Sequence, residues 1–256
     1  DETIAFIRAA WLEHHVLSFP NQNISNDDLE QFTLAFGGFG NDPFFGSVEG
    51  HPNIAAIQRR ANEKSPIFAS TWHTDWSFQA NPPSGTCLYG ITIPPLGGDT
   101  LFANQHKAYD DMPDDLRETV KDLVAIHSAE LAYAPDGAYS SEQPTETDRS
   151  MTILASEDAR VRQEHPFVRI HPETGKPALY STMGYILGFK DMPPEAAVPL
   201  LMRLYQYQGS EAFQYRHKWE PNMLVMWDNR SVLHMATGGY EGHDRLLHRT
   251  TIAGLG

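Results

Sequence analysis

The sequence predicts a mainly β core with helices packed outside it, in a single domain over 1–256. Short β-type runs between Pro/Gly breaks occupy 53–99 and return from 223 to 252, whereas helical periodicity is confined to a few segments. No internal repeat or low-complexity linker divides the chain. Its 256 residues are near the ~200–250 that all-β barrels and sandwiches often reach as one domain.

Ile4, Ile7 and Trp11 recur at helical spacing, so the spacing predicts a helix over 1–14 with Asp1 or Thr3 as its cap. Val16–Phe19 reads as a short buried strand closed by Pro20-Asn21. Ser25-Asn26-Asp27-Asp28 has the pattern of an N-cap and first turn. It leads into Leu29, Phe32 and Phe36 on one helical face, and Gly37-Gly38 and Gly40 end that helix. Strands are expected at Asn53–Gln58 and Gly85–Ile93, and a helix at Met112–Val124 with Asp114 and Asp115 in its first turn. Ala134–Ser150, polar and rich in Pro, Ser, Glu and Thr, reads as a long mobile loop that could serve as a lid. Pro194–Gln208 is predicted helical, with Val198, Leu201, Met202 and Tyr205 on one face. Met223–Trp227, Ser231–Met235 and His248–Ile252 read as strands.

Hydrophobic residues make up 41% and charged residues 20%, the proportions of a globular protein that can bury a core without disulfide staples. A formal net charge of −14 argues against nucleic acid and against anionic membrane as partners, but not against a small anion, because a pocket can carry local positive charge. No apolar run of ~18 residues or signal peptide is seen. The single cysteine, Cys87, fits a reducing cytoplasm and sits in an apolar stretch as a core residue would. The chain does not open on Met, so it is expected to be part of a longer protein.

Trp72-His73-Thr74-Asp75 is the first motif with chemical content. On a strand, alternate side chains share a face, so His73 and Asp75 are expected to converge on one ion. Among 12 histidines such a pair is weak by itself. A second block, Trp227-Asp228-Asn229-Arg230-Ser231-Val232-Leu233-His234, supplies a turn and a strand that bring in a distant imidazole. Two His and one carboxylate on one face, with other positions open, point to non-haem Fe(II). Gly97-Gly98-Asp99-Thr100 is a tight turn whose Thr hydroxyl can donate to a carboxylate. Arg245 and Arg249 are bidentate carboxylate binders that keep their charge when buried.

These blocks resemble the taurine dioxygenase / 2,4-dichlorophenoxyacetate dioxygenase (TauD/TfdA) family. The resemblance rests on WHTDWSF from Trp72, GGDTLFA from Gly97, HPFVRIHPETGKPALY from His165, WDNRSVLHMATGGY from Trp227 and HDRLLHRTTIAG from His243, and it covers nearly the whole chain. It implies a double-stranded β-helix (a cupin-like jelly roll), normally with a further strand segment ahead of the position of Asp1. It further implies Fe(II), with 2-oxoglutarate and O₂ as cosubstrates. Hydroxylation of a small organic anion (carboxylate, sulfonate or sulfate ester) would release succinate and CO₂. His73, Asp75 and His234 match the iron ligands, and Thr100 and Arg245 match the groups on the distal carboxylate of 2-oxoglutarate. Arg249 matches the residue for the substrate's anionic group, and Tyr133 and Tyr185 match aromatic residues of the substrate pocket. Family members are often homo-dimers or homo-tetramers.

Departures from the taurine enzyme make the pocket more apolar. Asp42 and Phe45 replace a His and a Tyr, Phe68 and Ala69 replace polar residues, and Trp76 replaces a smaller one. A larger organic anion is therefore expected rather than taurine. Asp42 either meets a substrate ammonium or pairs with Arg59 or Arg60. Asp75 argues against halogenation, for which related enzymes replace the carboxylate by a small residue. The alternatives are a taurine dioxygenase proper, a non-oxidative cupin-type Zn²⁺ protein, and a binding protein without catalysis on the same scaffold.

Overall fold

A computed structural model describes residues 2–140 and 149–254. Its largest sheet has six strands in the order Val16–Phe19, Leu224–Asp228, Gly85–Thr92, Arg245–Ile252, His51–Arg59 and Ser47–Val48, every pair antiparallel. A three-stranded antiparallel sheet, Gln214–His217, Thr100–Asn104 and Val232–Ala236, faces it. A third sheet orders Ile186–Phe189, Val124–Ser128 and Arg162–Pro166.

The two-residue period of the central strands explains this layering. Cys87 and Tyr89, with Leu224 and Met226, pack outward on Trp11 and Leu29 of the helices Glu2–His14 and Asn26–Ala35. Leu88, Val225 and Trp227 point inward, where they meet Phe102 and Val232 of the facing sheet. Burial on both faces is why Gly85–Tyr89 reads as an unbroken apolar run rather than an alternating one. The second helix begins at the expected cap. Ser25 Oγ accepts from the Asp28 amide at 3.2 Å, and the Asp28 carboxylate accepts from the Ser25 amide at 2.8 Å.

Four expectations need correction. The helix expected over Met112–Val124 is shorter, Asp114–Val120, and Val124 opens a strand. Pro113, at the N-cap, has no N–H to continue the preceding helix Gln105–Asp110, which the apolar spacing had not marked. Helix Pro194–Gln208 buries Ala197, Leu201, Leu204 and Gln208, not Val198 and Met202, each 50% exposed. Gln208 belongs to the buried stripe because its amide donates to Gln105 Oε1 and to the Ser181 carbonyl, both at 3.0 Å, a polar match that hydrophobic periodicity cannot see. The last strand starts at Arg245, three residues before the expected His248, which brings Arg245 into the sheet. Finally, His73 and Asp75 are not on a strand. His73 forms an isolated bridge with His234, and the chain turns at once through Asp75 and Trp76. Of the loop expected over Ala134–Ser150, residues 141–148 lie outside the described residues. Ala134–Ser140 folds back in turns, with the Ala138 amide bonded to the Leu131 carbonyl.

The turn that feeds the His234 strand is anchored by a buried ion pair. Arg230 Nε and Nη2 donate to the two Asp228 oxygens at 2.8 and 2.6 Å, and His171 Nε2 donates to Oδ2 at 3.0 Å. Burial would raise the Asp228 pKa, but the bonds from Arg230 and His171 outweigh it and hold it at about 2. A depressed carboxylate pKa stabilises the fold above its unfolded value of 3.8, and that stability is lost as pH falls toward about 2. Asp228→Ala should cost about 3–5 kcal/mol, since it strips the partly buried Arg230 guanidinium and the buried His171 of a common partner. Urea denaturation at neutral pH tests this, and a loss below ~1 kcal/mol would contradict it.

Candidate metal and cosubstrate site

The site lies between the six-stranded sheet and the facing three-stranded one. The His73–His234 bridge uses two backbone bonds, His73 N to His234 O at 3.1 Å and His234 N to His73 O at 2.8 Å. It brings the two imidazoles to 4.2 Å between ring centres. Asp75 Oδ1 lies 3.7 Å from Nε2 of each histidine, and one donor atom from each of the three side chains falls within 4.8 Å of the others. Trp76, just after Asp75, has φ 53°, a left-handed conformation that costs a bulky residue about 1–3 kcal/mol. The turn holds because the Trp76 indole N–H donates to Asp42 and its ring packs on Phe45 at 4.8 Å.

The protonation states suit a divalent ion. His73 Nδ1–H donates to the Thr71 carbonyl at 2.8 Å, leaving the Nε2 lone pair toward Asp75. Burial pushes both imidazoles toward the neutral form, His234 to about 3. Asp75 stays ionised: burial would raise its pKa, but Arg249, the two histidines and Thr86 hold it at about 2. Thr86 Oγ1 donates to Asp75 Oδ2 at 2.6 Å, and the Asn229 amide in turn donates to Thr86 Oγ1 at 2.9 Å. This outer layer was not legible in the sequence, although Asn229 lies inside a conspicuous motif; it depends on pairing two strands more than 140 residues apart.

The triad opens into a chamber of about 820 Å³, counting its mouth. Thr100 and Arg245 face into it from opposite sheets, with Arg249, Trp76, Tyr133, Tyr185 and Phe45 in the same wall. Arg245 and Arg249, four apart on one strand, share a face and stand about 13 Å apart along it. Arg245 is 7% exposed, yet among the described residues its guanidinium donates only to the Gly98 carbonyl, at 3.3 Å, and its Nε finds no partner. Burial lowers its pKa. Gly98, at φ 68°, leaves room for it, since a Cβ there would stand 3.2 Å from Arg245 Nε. Thr100 Oγ1 accepts from the Trp219 indole at 3.0 Å, so its own proton remains available. A buried guanidinium with no carboxylate partner among the described residues, sharing the chamber with a free hydroxyl, suits a carboxylate, and a two-His, one-carboxylate donor set suits Fe(II).

Asp42 sits behind Arg249 rather than beside Arg59 or Arg60. Arg249 Nη2 lies 2.6 Å from Asp42 Oδ1, and Nη1 lies 3.5 Å from Asp75 Oδ1. Those two carboxylates outweigh burial and raise the Arg249 pKa. Arg59 instead pairs with Glu63 at 3.3 Å. Arg149, at the chamber wall, had not been singled out from the sequence; no local pattern separates it from a surface arginine.

The family model described as taurine catabolism dioxygenase TauD, TfdA family matches residues 1–251. The chain is 33% identical over 258 residues to an alkylsulfatase of Acinetobacter baylyi, covering 98% of this chain and 77% of that one. It is 34% identical over 239 residues to the alpha-ketoglutarate-dependent 2,4-dichlorophenoxyacetate dioxygenase of Cupriavidus pinatubonensis, covering 87% and 78%. The solved structure of a taurine dioxygenase from Burkholderia xenovorans superposes with a TM-score of 0.80 at 31% identity, over 99% of this chain and 82% of that one. A chain that matches over this length, and whose His-Asp-His cluster fits an iron site, belongs to the TauD/TfdA family and is an Fe(II)- and 2-oxoglutarate-dependent dioxygenase.

Proposed function

We propose that this enzyme hydroxylates an organic anion with an apolar body: a carboxylate, a sulfonate or a sulfate ester. The observation that carries this is a single chamber combining the triad, a buried Arg245 with no carboxylate partner among the described residues and an aromatic wall. In this reading His73, Asp75 and His234 hold the iron, while Arg245 and Thr100 hold the far carboxylate of 2-oxoglutarate. Iron, 2-oxoglutarate and O₂ supply an oxidative decarboxylation to succinate and CO₂ that hydroxylates a substrate carbon. If that carbon bears sulfur or an ether oxygen, the product collapses to a carbonyl compound.

The protein contributes position and dryness. Thr86 and the Thr71 carbonyl fix the orientations of Asp75 and His73, as outer-shell partners do. Trp76, Tyr133, Tyr185 and Phe45 exclude water and pack on the substrate body, gaining ~25 cal/mol per Å² removed from water. Arg249 and its partner Asp42 set the charge beside the reacting carbon. Relatives named for alkyl sulfates and for 2,4-dichlorophenoxyacetate support an anion larger than taurine. The two facing antiparallel sheets support a jelly roll forming one domain, and the lone buried Cys87 supports a reducing compartment such as the cytoplasm. No helix among the described residues is long and apolar enough to cross a membrane.

Succinate release measured over a panel of sulfonates, alkyl sulfates and aryloxy acids tests the proposal. At least one larger anion should raise the rate above the substrate-free level and outperform taurine. Stimulation by none of them, or best by taurine, would refute the substrate reading.

A further inference from the structure

Four arginines line the chamber, and their charges are not equally available. Arg249 is matched by Asp42 at 2.6 Å and Asp75 at 3.5 Å, and Arg59 by Glu63 at 3.3 Å. No carboxylate among the described residues comes within 4.0 Å of Arg245 or Arg149. Arg245 shares the chamber with Thr100 and is assigned above to the cosubstrate, which leaves Arg149 as the lining arginine with no carboxylate that close among the described residues and no role yet.

Arg149 is also built into the wall. Its guanidinium stacks on Tyr139 at 5.0 Å and on Phe68 at 5.4 Å, and it donates to the Pro66 carbonyl at 3.0 Å. The next residue is pinned: Ser150 N and Oγ donate to Glu63 Oε2 at 3.0 and 2.7 Å, and Gln58 Nε2 donates to the Ser150 carbonyl at 2.6 Å. Burial lowers the Arg149 pKa, as it does for Arg245, whereas the carboxylates raise that of Arg249. From Arg249 to Arg149 the wall is continuous. Arg249 lies over Phe45 at 4.5 Å, Phe45 meets Phe68 at 5.6 Å, and Phe68 carries Arg149.

We propose that Arg149, at the far end of this aromatic wall, binds the anionic group of the substrate, and that Asp42 dictates this by neutralising Arg249. An anion approaching Arg249 meets a closed ion pair and the negative charge of Asp42. An anion reaching Arg149 meets a guanidinium whose only polar partner among the described residues is a carbonyl. The substrate is then an amphiphile whose chain or ring lies along Phe45 and Phe68, with its reacting carbon at the triad and its charge remote from it. This deepens the function proposed above and rests on it.

The test is calorimetric titration of hexyl sulfate and of hexan-1-ol into protein loaded with Mn(II) and 2-oxoglutarate. Arg149→Gln should weaken hexyl sulfate at least tenfold while leaving hexan-1-ol and 2-oxoglutarate affinities unchanged. Asp42→Asn, by freeing Arg249, should strengthen the short anion methanesulfonate about tenfold. Unchanged hexyl sulfate binding in Arg149→Gln, or an equal loss for hexan-1-ol, overturns the assignment of Arg149. Methanesulfonate unaffected by Asp42→Asn overturns the role of Asp42. If hexyl sulfate does not bind the wild-type protein but a short sulfonate stimulates succinate release, this inference fails and the dioxygenase reading stands.

Discussion

Replacing His73, Asp75 or His234 with Ala should abolish turnover while leaving the metal-free protein folded. Each residue supplies one of three donor atoms grouped within 4.8 Å, and none belongs to a hydrophobic cluster that holds the sheets together. Loss of an outer-shell partner typically costs about 10–100-fold in metal affinity or activity, so loss of a ligand should cost more. A readout independent of turnover is available. Metal at ~100 times its Kd stabilises a protein by about 2.7 kcal/mol. At ~2–4 °C per kcal/mol for a domain of ~150–250 residues, Mn(II) should raise the wild-type Tm by several degrees and that of the variants by much less. A variant with full activity, or with the wild-type metal-induced shift, would remove its residue from the triad. Thr86→Val should fall between, because Asp75 loses the 2.6 Å bond that fixes Oδ2 but keeps its charge.

That His73, Asp75, His234 and Thr100 line one chamber was legible because each sits in a motif whose chemistry is local, alternate donors or a Gly-Gly turn, whereas Arg245, ahead of the strand expected from His248, was marked only by its side-chain chemistry and the family resemblance. The reason they converge was read less well. The triad converges through a single backbone bridge between His73 and His234 and a strained turn at Trp76 that follows Asp75, not through strand alternation. Whatever depends on long-range pairing was hidden. Asp42 reaches Arg249 across 207 positions and Thr86 is tied to Asn229 across 143, and neither distance leaves a trace in local spacing. Asp42 was judged by its nearest arginines in sequence, Arg59 and Arg60, when the fold offered a better partner. Helix 194–208 was misjudged for a related reason. Its buried face holds the small Ala197 and ends on Gln208, whose side-chain amide donates to distant chain, so the larger apolar Val198 and Met202 pointed to a face rotated from the true one.

Arg245→Gln should raise the Kd for 2-oxoglutarate by roughly 30- to 5,000-fold, the equivalent of about 2–5 kcal/mol for truncating one partner of a buried charge pair. Arg245 is nearly enclosed, holds one long bond to Gly98 O, and leaves Nε unpaired among the described residues. A guanidinium kept in that state burdens the free protein, because its desolvation is not offset until a carboxylate arrives. The sign of a second effect follows. The ligand-free Arg245→Gln protein should be as stable as wild type or more so, since the substitution removes a buried unmatched charge. Arg245→Lys keeps the charge but not the planar fork, so it should restore only part of the affinity. Titrating 2-oxoglutarate into Mn(II)-loaded protein, with denaturation of the ligand-free variants alongside, separates the two effects. Unchanged 2-oxoglutarate affinity in Arg245→Gln would assign the cosubstrate to another cation. Marked destabilisation of the ligand-free variant would make Arg245 a structural residue, with its lost affinity a consequence of a disturbed fold.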